Sequence, residues 1–197
     1  MASPVEICNL ALSRLGEAAH VSSIDPPEGS TQAYLCAAFF AQTRDRFLEH
    51  HAWGFATTRD RLALKAKDQP GEWSMSYALP NHFIRCLEVY CVQGVMDVRQ
   101  EYAIEGNIVM TNAEGAFMLF IRREEDTTKY PPAAIDALAW LLASELAGAI
   151  YKGGTGAEHA KRCLQAYQLA LSIAAASDAN QGHQKITDEA PWIRARR

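Results

Sequence analysis

The chain has 197 residues, of which 49% are hydrophobic and 21% are charged. This is the composition of an ordinary globular protein with a sizeable core, and it argues against disorder along the whole chain. A net charge of −4 excludes a strongly basic nucleic-acid-binding protein. The five cysteines are odd in number and form no CxxC pair, which favours free thiols in a reducing cytoplasm over a disulfide framework.

Two helices are predicted in the first fifty residues. Ser3 is a good N-cap, and Glu6, three residues later, completes a capping box. This first helix is expected to end near Gly16. After a proline-rich turn, Ser30 can cap a second helix that runs to about His50.

In the middle third of the chain, the spacing of the apolar residues changes from that of a helix to that of a strand. Leu87, Val89 and Cys91 alternate with their neighbours in the rhythm of a half-buried strand. Gly106 and Asn107, between two short apolar runs, predict a β-hairpin. The sequence therefore predicts a small antiparallel β region between helices.

Two more helices are predicted after residue 130. The third ends at Gly153 and Gly154, and Thr155 with Glu158 predicts a capping box at the start of the fourth. Because only a short glycine-rich turn joins the two helices, we expect them to pack as an antiparallel pair.

The predicted fold class is α+β, mainly α: an antiparallel bundle of about four helices with a small antiparallel β insertion and an extended C-terminal tail. Residues 1–59 and 126–179 are assigned to the helical bundle, residues 60–125 to the inserted β region, and residues 180–197 to the tail. Residues 182–197 carry a net charge of +2, which leaves −6 on the rest of the chain. A basic tail on an acidic body indicates a segment that docks on something else.

Motifs for catalysis and for metal binding are largely absent: the sequence has no GxSxG, HExxH or Walker-type loop. His50 and His51 are adjacent on a helix, so they point in different directions and cannot easily share a metal.

The glycine-rich stretch 152–156 follows a helix, which favours a helix stop over a phosphate loop. Four arginines could touch phosphate, but without interleaved aromatics we interpret them as surface arginines: Arg44, Arg46, Arg59 and Arg61. No catalytic, cofactor-binding or metal-binding residue is predicted.

Trp192 lies in a polar segment and is flanked by Pro191, Ile193 and Arg194. This is the composition of an interface anchor. Two other interpretations stay open: the tail collapses onto its own domain, or it is disordered until it binds a partner.

Several stretches resemble the patterns of one protein family. Residues 7–16 fit N-x-A-L-x-x-L-G, residues 47–56 fit L-x-x-x-x-W-x-F-A, and residues 73–80 fit W-x-x-x-Y-x-L-P. The Ser-Ser-Ile-Asp stretch at 22–25 and the Tyr-Pro-Pro start of the third helix at 130–132 follow in order. Together they resemble the tail tubular protein A, or head-to-tail adaptor, family of short-tailed bacteriophages, over residues 7 to about 150.

The resemblance implies a structural virion protein and not an enzyme. Such adaptors form a ring, usually of twelve copies, between the portal protein and the tail nozzle protein. The ring extends the DNA channel and helps to retain the packaged double-stranded DNA, which passes without sequence-specific binding. The expected location is the head-tail junction of the virion after assembly in the host cytoplasm, with no cofactor and no membrane.

The resemblance also implies that the C-terminal segment reaches the portal, and its basic charge and lone tryptophan agree with this. The residues expected to bind the portal are Ile186, Pro191, Trp192, Ile193, Arg194, Arg196 and Arg197. Loops of the β region are the expected projections toward the nozzle. The residues expected there are Gly94, Asp97, Gly106 and Asn107.

Two alternatives stay open. A small helical cell-wall hydrolase would need paired carboxylates, for which Asp136 and Glu145 on the third helix are the candidates. These residues, with Ser144, also make that apolar stretch too polar for a membrane span in our interpretation. The other alternative is a cytoplasmic helical adaptor unrelated to phage.

Overall fold

The computed structural model describes residues 2–18, 20–67, 71–93, 96–151 and 153–181, and these ranges contain four α-helices, two short 3-10 helices and eight strands. The helices are α1 (Pro4–Leu15), α2 (Thr31–His50), α3 (Pro132–Ile150) and α4 (Gly154–Ala179). The strands are β1 (Thr57–Arg61), β2 (Ala63–Lys67), β3 (Met75–Ala78), β4 (Phe83–Gln93), β5 (Met96–Arg99), β6 (Tyr102–Glu105), β7 (Ile108–Thr111) and β8 (Phe117–Arg122).

The first two helices begin and end at the residues that the sequence signals indicate. Ser3 and Glu6 exchange backbone-to-side-chain hydrogen bonds, so the predicted capping box is confirmed. Gly16, with φ of 83°, ends α1 in the left-handed conformation that glycine tolerates best. The Ser30 hydroxyl accepts a hydrogen bond from the N–H of Ala33 and caps α2.

The predicted capping box at the start of α4 is wrong. The N-cap is Gly153, with φ of 72° and no side-chain cap, and the helix already begins at Gly154. Thr155 therefore lies inside the first turn, too late in the chain to serve as the N-cap.

Helix α3 forms the centre of the helical layer, where it packs against α1, α2 and α4. Its length and mean hydropathy are sufficient to cross a membrane, contrary to the expectation drawn from Asp136, Ser144 and Glu145. Half of its most apolar window is buried inside the fold. The same helix thus supplies more buried residues to this apolar core than any of the other three helices.

The eight strands form two four-stranded antiparallel sheets. The first has the order β1-β8-β4-β5, and the second has the order β2-β3-β7-β6. Only Leu62 separates β1 from β2, and only Gln100 and Glu101 separate β5 from β6. The chain therefore passes from one sheet to the other at both edges, as in sandwiches whose corners are made by bent strands.

The first sheet is the middle layer between the helices and the second sheet. On β8, Phe120 enters the core between the sheets and Ile121 enters the helical core, because successive residues of a strand point to opposite faces. Val89 and Cys91 of β4 also face the second sheet. Leu87 instead packs against the helical core, because a bulge between Cys86 and Glu88 shifts the alternation.

The predicted fold class is wrong in its proportions. Two four-stranded sheets and four helices make a sheet-rich α+β fold rather than a helical bundle with a small β insertion. The predicted hairpin at Gly106 and Asn107 is confirmed, with Glu105 opposite Ile108. The strands run from residue 57 to residue 122, and the division into a helical and a β domain stays a prediction.

Candidate assembly surfaces

Four side chains from four neighbouring strands form a row across the first sheet, on the side away from the second sheet. The register puts Arg61 opposite Phe117, Phe117 opposite Tyr90, and Tyr90 opposite Arg99. Residues paired across antiparallel strands point to the same face. The result is an arginine–aromatic row, with one cation at each end and two rings between them.

The two rings of the row are in direct contact. Tyr90 and Phe117 stack with their centroids 5.6 Å apart and their planes at 16°. Tyr90 is 7% exposed but belongs to neither hydrophobic core. Arg99 is 84% exposed, and its Nε donates a hydrogen bond to Glu88 Oε1 at 2.7 Å. The two arginines at the ends of the row are thus exposed, whereas Phe117 is half-buried and Tyr90 is buried.

The chemistry of this face favours a protein partner over phosphate. Arginine and aromatic residues are enriched at the centres of protein interfaces. Arg59 lies on the same face as the row, but Glu88 and Asp97 lie there too, so the positive excess is small. A strong grip on nucleic-acid backbone requires the neutralisation of many phosphates.

A second exposed surface lies on the outer side of α4. Leu169 is 66% exposed and Ile173, one turn later, is 58% exposed. A different face of α4, which excludes Leu169 and Ile173, packs against the rest of the protein. Its buried residues are Gly156, Cys163, Tyr167, Ala170 and Ala174. Adjacent large apolar side chains that face solvent indicate a contact surface more strongly than scattered ones do.

The two carboxylates considered for glycoside hydrolysis lie in separate ion pairs. Asp136 pairs with Arg14 of α1, and Glu145 pairs with Arg46 of α2. Nine residues of helix separate them by about 13 Å along the axis. Paired catalytic carboxylates lie roughly 5–9.5 Å apart, so this geometry does not fit that reaction.

His50 and His51 point to different partners, as predicted. His50 Nδ1 hydrogen-bonds the hydroxyl of Tyr167, while His51 Nε2 lies 3.4 Å from Asp178 Oδ2. Burial, helped by the charge of Arg46, lowers the pKa of His50, and burial raises the pKa of Tyr167 to about 12. Within the described ranges, no three His, Cys, Asp or Glu side chains could hold a metal ion, and the five cysteines are free thiols.

The residues predicted to bind the portal, at positions 186–197, lie outside the described residues. Of the residues predicted to face the nozzle, Gly94 also lies outside them. Asp97 is exposed on β5, an edge strand of the first sheet, and Gly106 with Asn107 forms the exposed turn between β6 and β7 of the second sheet. The three described residues thus lie on two different sheets.

The arginine–aromatic row was missed by sequence reasoning. Arg61 had been interpreted as a surface arginine because no aromatic residue lies near it in a basic stretch of sequence. Phe117 and Tyr90 are brought beside it by strand register across 56 and 29 residues of chain. Only the alternation of Thr57, Arg59 and Arg61 on one face could have hinted at an exposed sheet surface.

Comparison of this chain with protein-family models and with curated proteins yields no match.

Proposed function

We propose that this chain is a structural head-to-tail adaptor of a short-tailed bacteriophage, which forms a ring between the portal and the tail nozzle. The observation that carries the proposal is the presence of two unlike surfaces: the arginine–aromatic row, of which the arginines are exposed, and the exposed Leu169–Ile173 side of α4. A closed ring requires one surface of each subunit to meet a different surface of the next. The resemblance of residues 7–150 to the adaptor family supplies the identity of the ring.

Ring closure by unlike surfaces fits the chemistry of both. The α4 surface is apolar, and the row places exposed guanidinium groups at the two ends of a stacked, largely covered pair of rings. Aromatic rings and arginine stems both pack well against aliphatic side chains. We propose about twelve copies, located at the head-tail junction of the virion.

The remaining contacts follow from the same proposal. Residues 186–197 bind the portal, while Asp97, Gly106 and Asn107 face the nozzle. Packaged double-stranded DNA passes through the ring without sequence-specific binding, because a chain with a net charge of −4 neutralises few phosphates.

The decisive test uses the portal ring encoded in the same genome. The two proteins are mixed and examined by mass photometry and negative-stain electron microscopy. Twelve copies of a 21.7 kDa chain would add about 260 kDa and one ring-shaped layer to the portal. A portal that gains no mass, although both proteins are folded, would overturn the proposal.

A truncation after Asn180 tests the assignment of the portal-binding segment. We expect the shortened chain to keep its circular dichroism spectrum and to lose portal binding. Undiminished portal binding by the shortened chain would contradict the assignment while leaving the ring proposal intact. Shortening the turn at Gly106 and Asn107 tests the nozzle-facing assignment in the same way, with nozzle binding as the readout.

A further inference from the structure

A groove lies on the helical side of the molecule between the start of α1, the loop before α2, and α2 itself. Its volume is about 470 Å³. Most of its lining is apolar: Pro4, Ile24, Pro27, Ala37 and Phe40. The groove is large enough to receive one large side chain together with a neighbouring residue.

The charged groups of the groove have a negative balance. Arg44 lies at the floor of the groove and is 8% exposed. Its Nε and Nη2 groups donate hydrogen bonds to Asp45 Oδ1, at 3.0 and 2.9 Å. Asp25 and Glu125 lie at the rim, where the side chain of Glu125 is 63% exposed and its Oε1 lies 3.9 Å from Arg44 Nη2. Asp45 is shared between Arg44 and Arg123, whose Nε lies 2.8 Å from Asp45 Oδ2. The charged residues that line the groove itself are Asp25, Glu125 and Arg44, so the exposed rim carboxylates favour an occupant that is apolar and cationic.

The chain itself contains such an occupant. Residues 191–194 read Pro-Trp-Ile-Arg, in a segment with a net charge of +2. Tryptophan and isoleucine match the apolar lining, and Arg194 matches the rim carboxylates. This is the charge complementarity that distinguishes the segment from other occupants of an apolar groove.

Gln181 is the last described residue before this segment, and it lies close to the end of α2. Asp178 is hydrogen-bonded to the N–H of Gly54, which holds the end of α4 beside the end of α2, and Gln181 lines a hollow there with His51. Phe40 lies eleven residues before His51, about 16 Å back along the axis of α2. Trp192 lies eleven residues after Gln181, and an extended chain of that length spans about 36 Å. The groove is therefore within reach of the same chain.

We propose that residues 191–194 dock in the groove of their own chain, with Trp192 between Ile24 and Phe40 and with Arg194 beside Glu125. Tethering gives the segment an effective concentration in the roughly millimolar range, so a contact with a dissociation constant below about 1 mM keeps it docked in most molecules. The docking does not depend on the adaptor role. If residues 191–194 also bind the portal, they must first leave the groove. Release from the groove then accompanies binding to the portal.

Photo-crosslinking in the full-length chain tests the proposal. Trp192 is replaced by p-benzoylphenylalanine, and the irradiated protein is examined on a denaturing gel and by peptide mass spectrometry. We expect a crosslink that leaves the protein monomeric and maps to the peptides containing Ile24 or Phe40. Crosslinked dimers would identify a second copy as the occupant, and crosslinks elsewhere, or none, would equally overturn docking in cis.

Charge reversal supplies the matched comparison. Asp25→Lys with Glu125→Lys should lower the yield of the groove crosslink by at least about fivefold, because each carboxylate is replaced by a like charge beside the basic segment. Glu72→Lys, an exposed carboxylate on the β2–β3 connection, should leave the yield unchanged. Circular dichroism melting of each variant confirms that it is folded. An equal yield in the double variant and in the control would contradict the proposed pairing.

Discussion

Asp178, near the end of α4, accepts the backbone N–H of Gly54 through both carboxylate oxygens, at 3.0 and 3.1 Å. The two residues are 124 positions apart, and the Asp178 side chain is 9% exposed. The contact ties the last turn of the outermost helix to the connection between α2 and β1.

Replacing Asp178 by alanine should destabilise the protein by roughly 1.5–3 kcal/mol, because a charge-assisted hydrogen bond is lost and the N–H of Gly54 keeps no partner there. Urea unfolding measures the change. Asp97→Ala, on an exposed edge strand, is the control and should leave stability nearly unchanged. Equal midpoints for the two variants would contradict the importance of the contact.

The start of α4 offers a prediction with a matched glycine pair. A Cβ at Gly156 would meet the carbonyl oxygen of Tyr151 at 2.1 Å, whereas a Cβ at Gly154 would meet nothing within 4 Å. Gly156→Ala should therefore destabilise the protein by roughly 1–3 kcal/mol, since the backbone of the α3–α4 turn must move. Gly154→Ala should be neutral or stabilising by up to about 1 kcal/mol. Thermal unfolding measures the stability of both variants. A Gly156→Ala variant as stable as the wild type would contradict the close approach of the Tyr151 carbonyl to Gly156.

His50 makes stability depend on pH in a defined direction. Its folded pKa is below the ordinary value of 6.5, chiefly through burial. The unfolded chain therefore binds the proton more readily, so stability should fall as the pH drops through about 6.5. His50→Gln should flatten the decline between about pH 7.5 and 5.5, a window above the titration of the carboxylates. His20→Gln, in an exposed loop, is the control, and an unchanged slope in His50→Gln would contradict the assignment.

The outer side of α4 should matter for assembly and not for folding. Leu169→Asp with Ile173→Asp removes an exposed apolar surface, so the free energy of unfolding should fall by no more than about 1 kcal/mol, the cost in helix propensity. The same change should abolish the extra layer on the portal ring in mass photometry. Gln168→Asp, about 100° away around the helix, is the control and should still assemble. Ring formation by the double variant would exclude this side of α4 from the lateral contact.

Local signals in the sequence were enough for the first two helices and for one hairpin. Ser3 with Glu6, Ser30 and Gly16 form their caps with residues three or four positions away, so the determining contacts lie within one turn of chain. The Gly106-Asn107 turn is equally local. The failed capping box at Thr155 shows the limit of such signals, because α4, which packs against α3, starts two residues earlier, with Gly153 as its N-cap.

Tertiary structure alone decided the extent of the sheets and the surfaces built on them. Strands β1 and β2 have no clear alternation of apolar residues, and β4 carries a bulge that sends Leu87 to the helices, so their pairing is fixed by distant partners. The row from Arg61 to Arg99 exists only because four strands align in register. Sequence alone determined the composition, the caps of α1 and α2, and the basic character of residues 182–197. Cross-strand contacts, which join residues far apart in the chain, determined the architecture and both candidate assembly surfaces.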